Sequence, residues 1–347
     1  MIGSRRADIL GLIINHYIKT GEPMGSKTLC SLLPYPISSA TIRNEMAYLS
    51  DLGFLEQRHT SGGRIPSKQS YRYYVDNLYT PQDIPTWEAQ RINEYLSINA
   101  SDPERLLTDA SKLISECTGC ASFYSTVQDK LDCIQGVELI PAGNNKAMLV
   151  MLSVGGKIRS SVCKMNCPIT DDFKKLFYFV MQNEFIGKPL VDVNLSLIQS
   201  TAPLLGNYIF NMLPILSSLC SLCKEASIGS IVVNGETNLL SQEELGKDVY
   251  KLLTFLASKD KLKQMLDDFA NSNLTSTLLI GDENPIYDLK NTVTAIAKFR
   301  YNNAQIATLG MLGSLRIDYE SVLPRVEYII NTVSQLLKQG GVNFEQK

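Results

Sequence analysis

Three short helical blocks, cut apart by glycine and proline, occupy the start of the chain and leave it few ways to fold. Ile9, Ile13 and Tyr17, with Leu10 and Ile14, recur at helical spacing, so Arg5–Lys19 reads as an amphipathic helix. Gly21-Glu22-Pro23 breaks it. Gly25-Ser26-Lys27-Thr28-Leu29 opens a second, shorter helix with Ser26 as the expected cap, and Pro34-Tyr35-Pro36 ends it. Ser38 and Ser39 are candidate caps for a third helix that runs to about Leu52 and closes at Gly53. Three helices, the last two joined by a tight turn, are the parts of a helix-turn-helix.

The third helix orients itself. Ile42, Met46 and Leu49 stand at i, i+4 and i+7 and should face the other two helices. Ala40, Thr41, Asn44, Tyr48 and Asp51 then fall on the far side, with Arg43 on the shoulder. Its outer N-terminal half offers Ser39, Thr41, Arg43 and Asn44, all able to hydrogen-bond base edges or phosphates. Phe54–Gln57 reads as a short strand, and Arg58-His59-Thr60-Ser61-Gly62-Gly63-Arg64-Ile65 as a hairpin returning from it, with the diglycine supplying positive φ at the tip. A ribbon carrying cations and hydroxyls beside such a helix is the wing of a winged helix. Arginine suits a narrow minor groove, where the negative potential deepens. The residues assigned to DNA are therefore Lys27, Ser38, Ser39, Thr41, Arg43, Asn44, Arg58, His59, Thr60, Ser61 and Arg64.

Composition agrees without deciding the matter. Residues 1–80 hold nine Lys/Arg against six Asp/Glu, while the whole chain carries a net charge of -2, so a modestly basic head precedes an acidic body. Gly21-Glu-Pro-Met-Gly25-Ser26-Lys27-Thr28 imitates a phosphate-binding loop, but its spacing is wrong and a helix precedes it where a strand is needed. The two histidines, His16 and His59, come with no grouping of nucleophile, base and orienting residue, and an enzyme is not expected.

Cys117-Thr-Gly-Cys120 and Cys220-Ser-Leu-Cys223 have metal-like internal spacing but lie far further apart than the roughly 15–20 residues of a zinc ribbon. Reduced, packed thiols are the expectation, with no metal and no cofactor. Met1–Asp8 has no secretory-signal pattern. From Val193 to Cys223 no residue is charged; Asn194, Gln199, Asn207, Asn211 and several serines make it too polar for a lipid-facing span, so it is expected against protein, in a core or a subunit interface.

Beyond Tyr79–Pro85, a linker-like break, helical stretches are expected around Glu88–Leu96 and Pro103–Glu116. Strand-like runs follow at Cys133–Ile140, Ala147–Val154, Ile158–Lys164, Ile228–Val233, Thr277–Ile280, Val293–Phe299 and Gln305–Leu312, and then a long helix at Tyr319–Gln339. Strands mixed with flanking helices imply an α+β body.

The runs Gly21–Leu29, Ser39–Met46, His59–Pro66 and Tyr71–Asp76 together resemble the bacterial heat-inducible transcription repressors of the HrcA family, and the likeness continues more weakly through Gly235–Leu240 and Gly313–Tyr319. The resemblance implies an α+β multidomain chain: a winged helix-turn-helix at 1–80, a linker helix region at 81–103, and a GAF-like domain at 104–339 interrupted by a dimerisation segment at about 170–270. It further implies a cytoplasmic homodimer on an inverted-repeat operator of chaperone genes in double-stranded DNA. That dimer would be released on heat stress and maintained by the GroEL chaperonin, with no membrane. The alternative is a regulator with the same head, controlled by a small molecule in the GAF-like domain.

Overall fold

The computed structural model describes residues 2–57, 63–126, 132–143, 145–227, 229–301 and 305–340. They form two compact units, one from residues 1–124, 231–298 and 308–342, the other chiefly from residues 125–230.

The first unit opens with α1 (Ser4–Thr20), which buries Ile9, Leu10, Ile13, Ile14 and Tyr17 as its periodicity requires. α2 (Ser26–Leu32) is capped by Gly25 with no side-chain bond, so Ser26 is its first helical residue and not its cap. The Ser26 hydroxyl is instead drawn across to the next helix. That helix, α3 (Ser39–Asp51), is capped by Ser38, whose Oγ accepts from the Thr41 amide at 3.1 Å; Ser39, the other candidate cap, already lies inside it. Gly53 follows in the left-handed region at φ 81°.

Strands β1 (Leu55–Glu56) and β2 (Ile65–Pro66) pair antiparallel, Leu55 opposite Pro66 and Glu56 opposite Ile65, in a ladder shorter than the expected Phe54–Gln57 run. Sequence reading missed its third member. Met24, between α1 and α2, exchanges both backbone bonds with Arg64, at 3.0 and 2.9 Å. This close approach explains Gly63, where a Cβ would lie 2.6 Å from the Met24 carbonyl. Gly62, its partner in the expected tip, lies outside the described residues.

α4 (Lys68–Asn77) starts at Ser67 and buries Tyr71 and Tyr74. α5 (Thr86–Ile98) and α6 (Pro103–Thr118) fall where expected; Asp102 caps α6 and Pro103 fills its first position, where a missing N–H costs nothing. β3 (Ala121–Thr126), buried along its whole length, follows.

The second unit holds an antiparallel sheet of β4 (Ile134–Pro141), β5 (Lys146–Ser153) and β6 (Ile158–Lys164), in that order, with α7 (Asp171–Val180), α8 (Leu195–Leu205) and α9 (Ile209–Ser227). Alternation along β5 turns Ala147, Leu149 and Met151 into a core shared with Phe173, Phe177, Ile215 and Leu219. The uncharged run therefore forms two helices parted at Gly206. The span Leu195–Ser227 has the length and hydropathy to cross a membrane. Here its Met212, Ile215, Leu216, Leu219 and Cys223 line the protein core.

The chain then supplies β7 (Ile231–Asn234), α10 (Asp248–Ala257), α11 (Lys259–Asn271), β8 (Ser276–Ile280), β9 (Thr292–Tyr301), β10 (Gln305–Ser314) and α12 (Tyr319–Gly340). The five-stranded sheet runs β7-β3-β10-β9-β8. Phe123, Ile296 and Leu312 from it share a core with Leu252, Phe255, Leu262 and Leu266 of α10 and α11. α12 packs along α5 and α6, and Arg325 grips Glu88 through two bonds of 2.6 and 2.8 Å. The expected α+β class is what the chain adopts.

Candidate nucleic-acid interface

The inner face of α3 is closed by Ile42, Met46 and Leu49, all buried as its periodicity predicts. The opposite side presents Arg43 and Asn44, both exposed, with the exposed Ser38 and half-buried Ser39 and Thr41 at its N-terminal end; Lys27 is exposed on α2. Packing on one face thus fixes the direction of the polar groups on the other.

A short chain of hydrogen bonds ties the second helix to the third. Arg43 Nε donates to Ser26 Oγ at 3.2 Å, and Ser26 Oγ lies 2.9 Å from Ser39 Oγ. Arg64 is half-buried, its backbone locked to Met24 and its guanidinium bonded to the Gln57 side chain. Arg58, His59, Thr60 and Ser61 lie outside the described residues.

Sequence reasoning missed Glu45. It is buried on α3, where Arg5 and Arg6 of α1 both donate to its carboxylate, Arg6 Nε at 2.6 Å. The Arg6 hydrogen bond holds the Glu45 carboxyl below its ordinary range, against the upward push of burial. Arg6 also lies over the Tyr48 ring, 3.8 Å from its centre. An acid on the helix that carries Arg43 and Asn44 is thereby neutralised internally. Its position three residues after Ile42 and four before Leu49 was the available signal: a charge on an apolar stripe needs a partner.

All eight cysteines are free thiols. Among the described residues, no three His, Cys, Asp or Glu side chains are grouped to hold a metal. Cys117 and Cys120 belong to the first unit, Cys220 and Cys223 to the second. Burial pushes the Cys120 thiol up to about 11 and that of Cys223 up to about 12. Both stay protonated and inert near neutrality.

The model of the HrcA protein C-terminal domain matches residues 104–323. A heat-inducible transcription repressor HrcA from Clostridium botulinum (strain Eklund 17B) is 30% identical over 343 residues, covering 97% of this chain and 98% of that one. The same-named protein of Clostridium acetobutylicum is 30% identical over 336 residues, covering 96% and 97%. That of Acetivibrio thermocellus is 27% identical over 330 residues, covering 94% of each. Among solved structures, a hypothetical protein determined at 2.2 Å shares the fold at a TM-score of 0.73 and 21% identity, covering 98% of this chain and all of that one. With more than half of its length matched by the family model, and with full-length relatives at 30% identity, this chain belongs to the HrcA family of heat-inducible transcription repressors.

Proposed function

We propose that this chain represses transcription by binding double-stranded DNA through a winged helix-turn-helix at residues 1–80, with α3 as recognition helix and the Arg58–Ile65 hairpin as wing. One observation carries the reading: Arg43 and Asn44 stand exposed on a helix whose opposite face is pinned by Ile42, Met46 and Leu49. Arginine pairs bidentately with guanine and asparagine with adenine. Lys27, Ser38, Ser39 and Thr41, with Arg58, His59, Thr60, Ser61 and Arg64 of the wing, supply contacts that set register on the backbone. The family is one of repressors rather than enzymes, and its relatives' name, heat-inducible transcription repressor, supports release on heat stress.

Residues 81–103 then serve as a linker helix region and 104–339 as a GAF-like domain. The inserted dimerising segment is proposed at about 170–270, of which the part up to residue 230 lies in the second compact unit. Where α8 gives way to α9, Leu204 at the end of α8, Tyr208 between the helices, and Phe210 and Leu213 at the start of α9 are exposed, apolar surface of the kind that marks a protein contact. One head reads few base pairs; a homodimer with twofold symmetry reads an inverted repeat and adds both sets of contacts. GroEL is the proposed partner that maintains the active form, since partial unfolding on heating exposes the apolar surface a chaperonin binds. These roles place the protein in the cytoplasm.

The test is a gel shift on an inverted repeat taken from upstream of the organism's own chaperonin genes. The intact protein is expected to retain it over random duplex, and Asn44→Ala to cost about 1–3 kcal/mol on the repeat and far less on random DNA. No preference for the repeat would defeat the reading; equal losses on both duplexes would move Asn44 from base reading to backbone positioning.

A further inference from the structure

We infer that Ser26, a residue of α2, is a positioning residue that sets the specificity of Arg43 on α3; the inference rests on the DNA-binding reading given above. A serine at the start of a helix ordinarily turns its hydroxyl back onto the helix's own amides. Ser26 does not: Gly25 occupies the cap, and the Ser26 hydroxyl is used between helices. Its oxygen accepts from Arg43 Nε at 3.2 Å, and its contact with Ser39 Oγ, at 2.9 Å, completes the link.

The choice of nitrogen matters. A guanidinium reads guanine through a planar fork of two parallel N–H groups, and its value depends on presenting that plane in one orientation. Holding Nε on the protein reserves the Nη end for an end-on approach to O6 and N7 of guanine. It also restricts rotation of a long side chain that is otherwise exposed. The Ser26 oxygen that accepts from Arg43 also shares a hydrogen bond with Ser39 in which either hydroxyl can donate; with Ser26 as donor, the Ser39 proton is free to turn outward to a phosphate or base oxygen. Arg43 and Ser39 are thus set together by one hydroxyl from the neighbouring helix. Substituting Ser26 leaves every apolar contact of α3 in place, so the role is separable from folding.

The experiment uses the full chain and two duplexes: one selected by the wild-type protein from a random pool, and a scrambled duplex of the same composition. Ser26→Ala is expected to weaken binding to the selected duplex by roughly 3- to 10-fold, the size expected when one long side chain must be ordered on binding rather than beforehand. It should leave the scrambled duplex and the melting temperature unchanged, and Ser26→Thr, which keeps the hydroxyl, should restore most of the loss. In an Arg43→Ala background, Ser26→Ala should cost clearly less than in the wild type, because only the Ser39 contact is left to lose. If Arg43→Ala abolishes the preference while Ser26→Ala retains it in full, the positioning role is overturned and the DNA reading stands. If Ser26→Ala weakens both duplexes alike or lowers the melting temperature in step, Ser26 is structural and the inference falls. If Arg43→Ala leaves the preference intact, Arg43 does not read bases, and both claims about it fall together.

Discussion

Arg72 of α4 grips Glu283 with two nitrogens, Nε to Oε1 at 2.7 Å and Nη2 to Oε2, while the same Nη2 reaches the Leu278 carbonyl. The Ile280 amide donates to the same Oε2 of Glu283 at 2.9 Å. Lys68, one turn earlier, meets Asp282 at 3.1 Å, and Tyr74 donates to Glu320 at 2.7 Å. The helix after the β1–β2 ladder is therefore bolted to acidic groups contributed by residues 282–320. Arg72→Met keeps much of the aliphatic packing but removes the fork. It should lower unfolding free energy by about 1–2 kcal/mol, somewhat under the roughly 1.5–3 kcal/mol of a hydrogen bond to a charged group because both side chains are partly exposed. Chemical denaturation checks this. An unchanged midpoint and slope would mean that the pair contributes nothing net, as many exposed ion pairs do.

Glu45 makes stability depend on acid. Its hydrogen bond from Arg6 lowers its folded value below the ordinary 4.5, outweighing burial, which pushes the other way. A carboxylate shifted down contributes stability that is fully present above its unfolded value and is lost as pH falls through its folded one. Glu283 behaves likewise: burial pushes it up, but the bonds from Arg72 and the Ile280 amide bring it down on balance. Unfolding free energy should therefore hold level from neutrality to about pH 5 and then fall on further acidification. Glu45→Gln should be less stable at pH 7 and show a shallower acid decline. Parallel curves for the two proteins would show that Arg5 and Arg6 do not favour the ionised form.

Much of this was legible in the sequence because the relevant signals are local. The 3.6-residue repeat of Ile42, Met46 and Leu49 is a property of one helix, and it oriented Arg43 and Asn44 correctly. The strands expected at Ala147–Val154 and Ile158–Lys164 rest on equally local runs, and they form at Lys146–Ser153 and Ile158–Lys164. What escaped is non-local. Met24 pairs with Arg64 across forty residues, Glu45 with Arg5 and Arg6, and Arg72 with Glu283 across more than two hundred. No periodicity within either partner's segment announces such a contact. Ser26 shows the same limit on a smaller scale, since a hydroxyl at a helix start looks like a cap until the neighbouring helix is in place.

Gly235 shows how little room some turns leave. It sits at φ 66°, and a Cβ there would lie 1.7 Å from Ser115 Oγ. That hydroxyl cannot move aside freely, because Asn238 Nδ2 donates to it at 3.1 Å and to the Cys120 carbonyl at 3.1 Å. Gly235→Ala adds a left-handed backbone penalty to a steric one and should cost about 2–4 kcal/mol. Urea denaturation measures the loss. A cost below about 0.5 kcal/mol, the level of an ordinary surface change, would mean that the turn opens without disturbing the Asn238 fork.

The exposed apolar residues around the start of α9 test the proposed homodimer. Phe210 is 76% exposed, next to Tyr208 at 46% and Leu213 at 45%. An exposed phenylalanine contributes almost nothing to the fold of its own chain, so Phe210→Asp should leave the melting transition of an isolated chain nearly unchanged. In a dimer that buries this surface, the same substitution places a charge in an apolar interface, where it has no partner. Light scattering on a sizing column should then show wild-type protein at twice the chain mass and the variant shifted toward the single chain. Operator affinity should fall with it, because two heads no longer share one inverted repeat. A variant that stays dimeric would place the interface elsewhere on the chain, and a wild-type protein of single-chain mass would remove the twofold reading of the operator altogether.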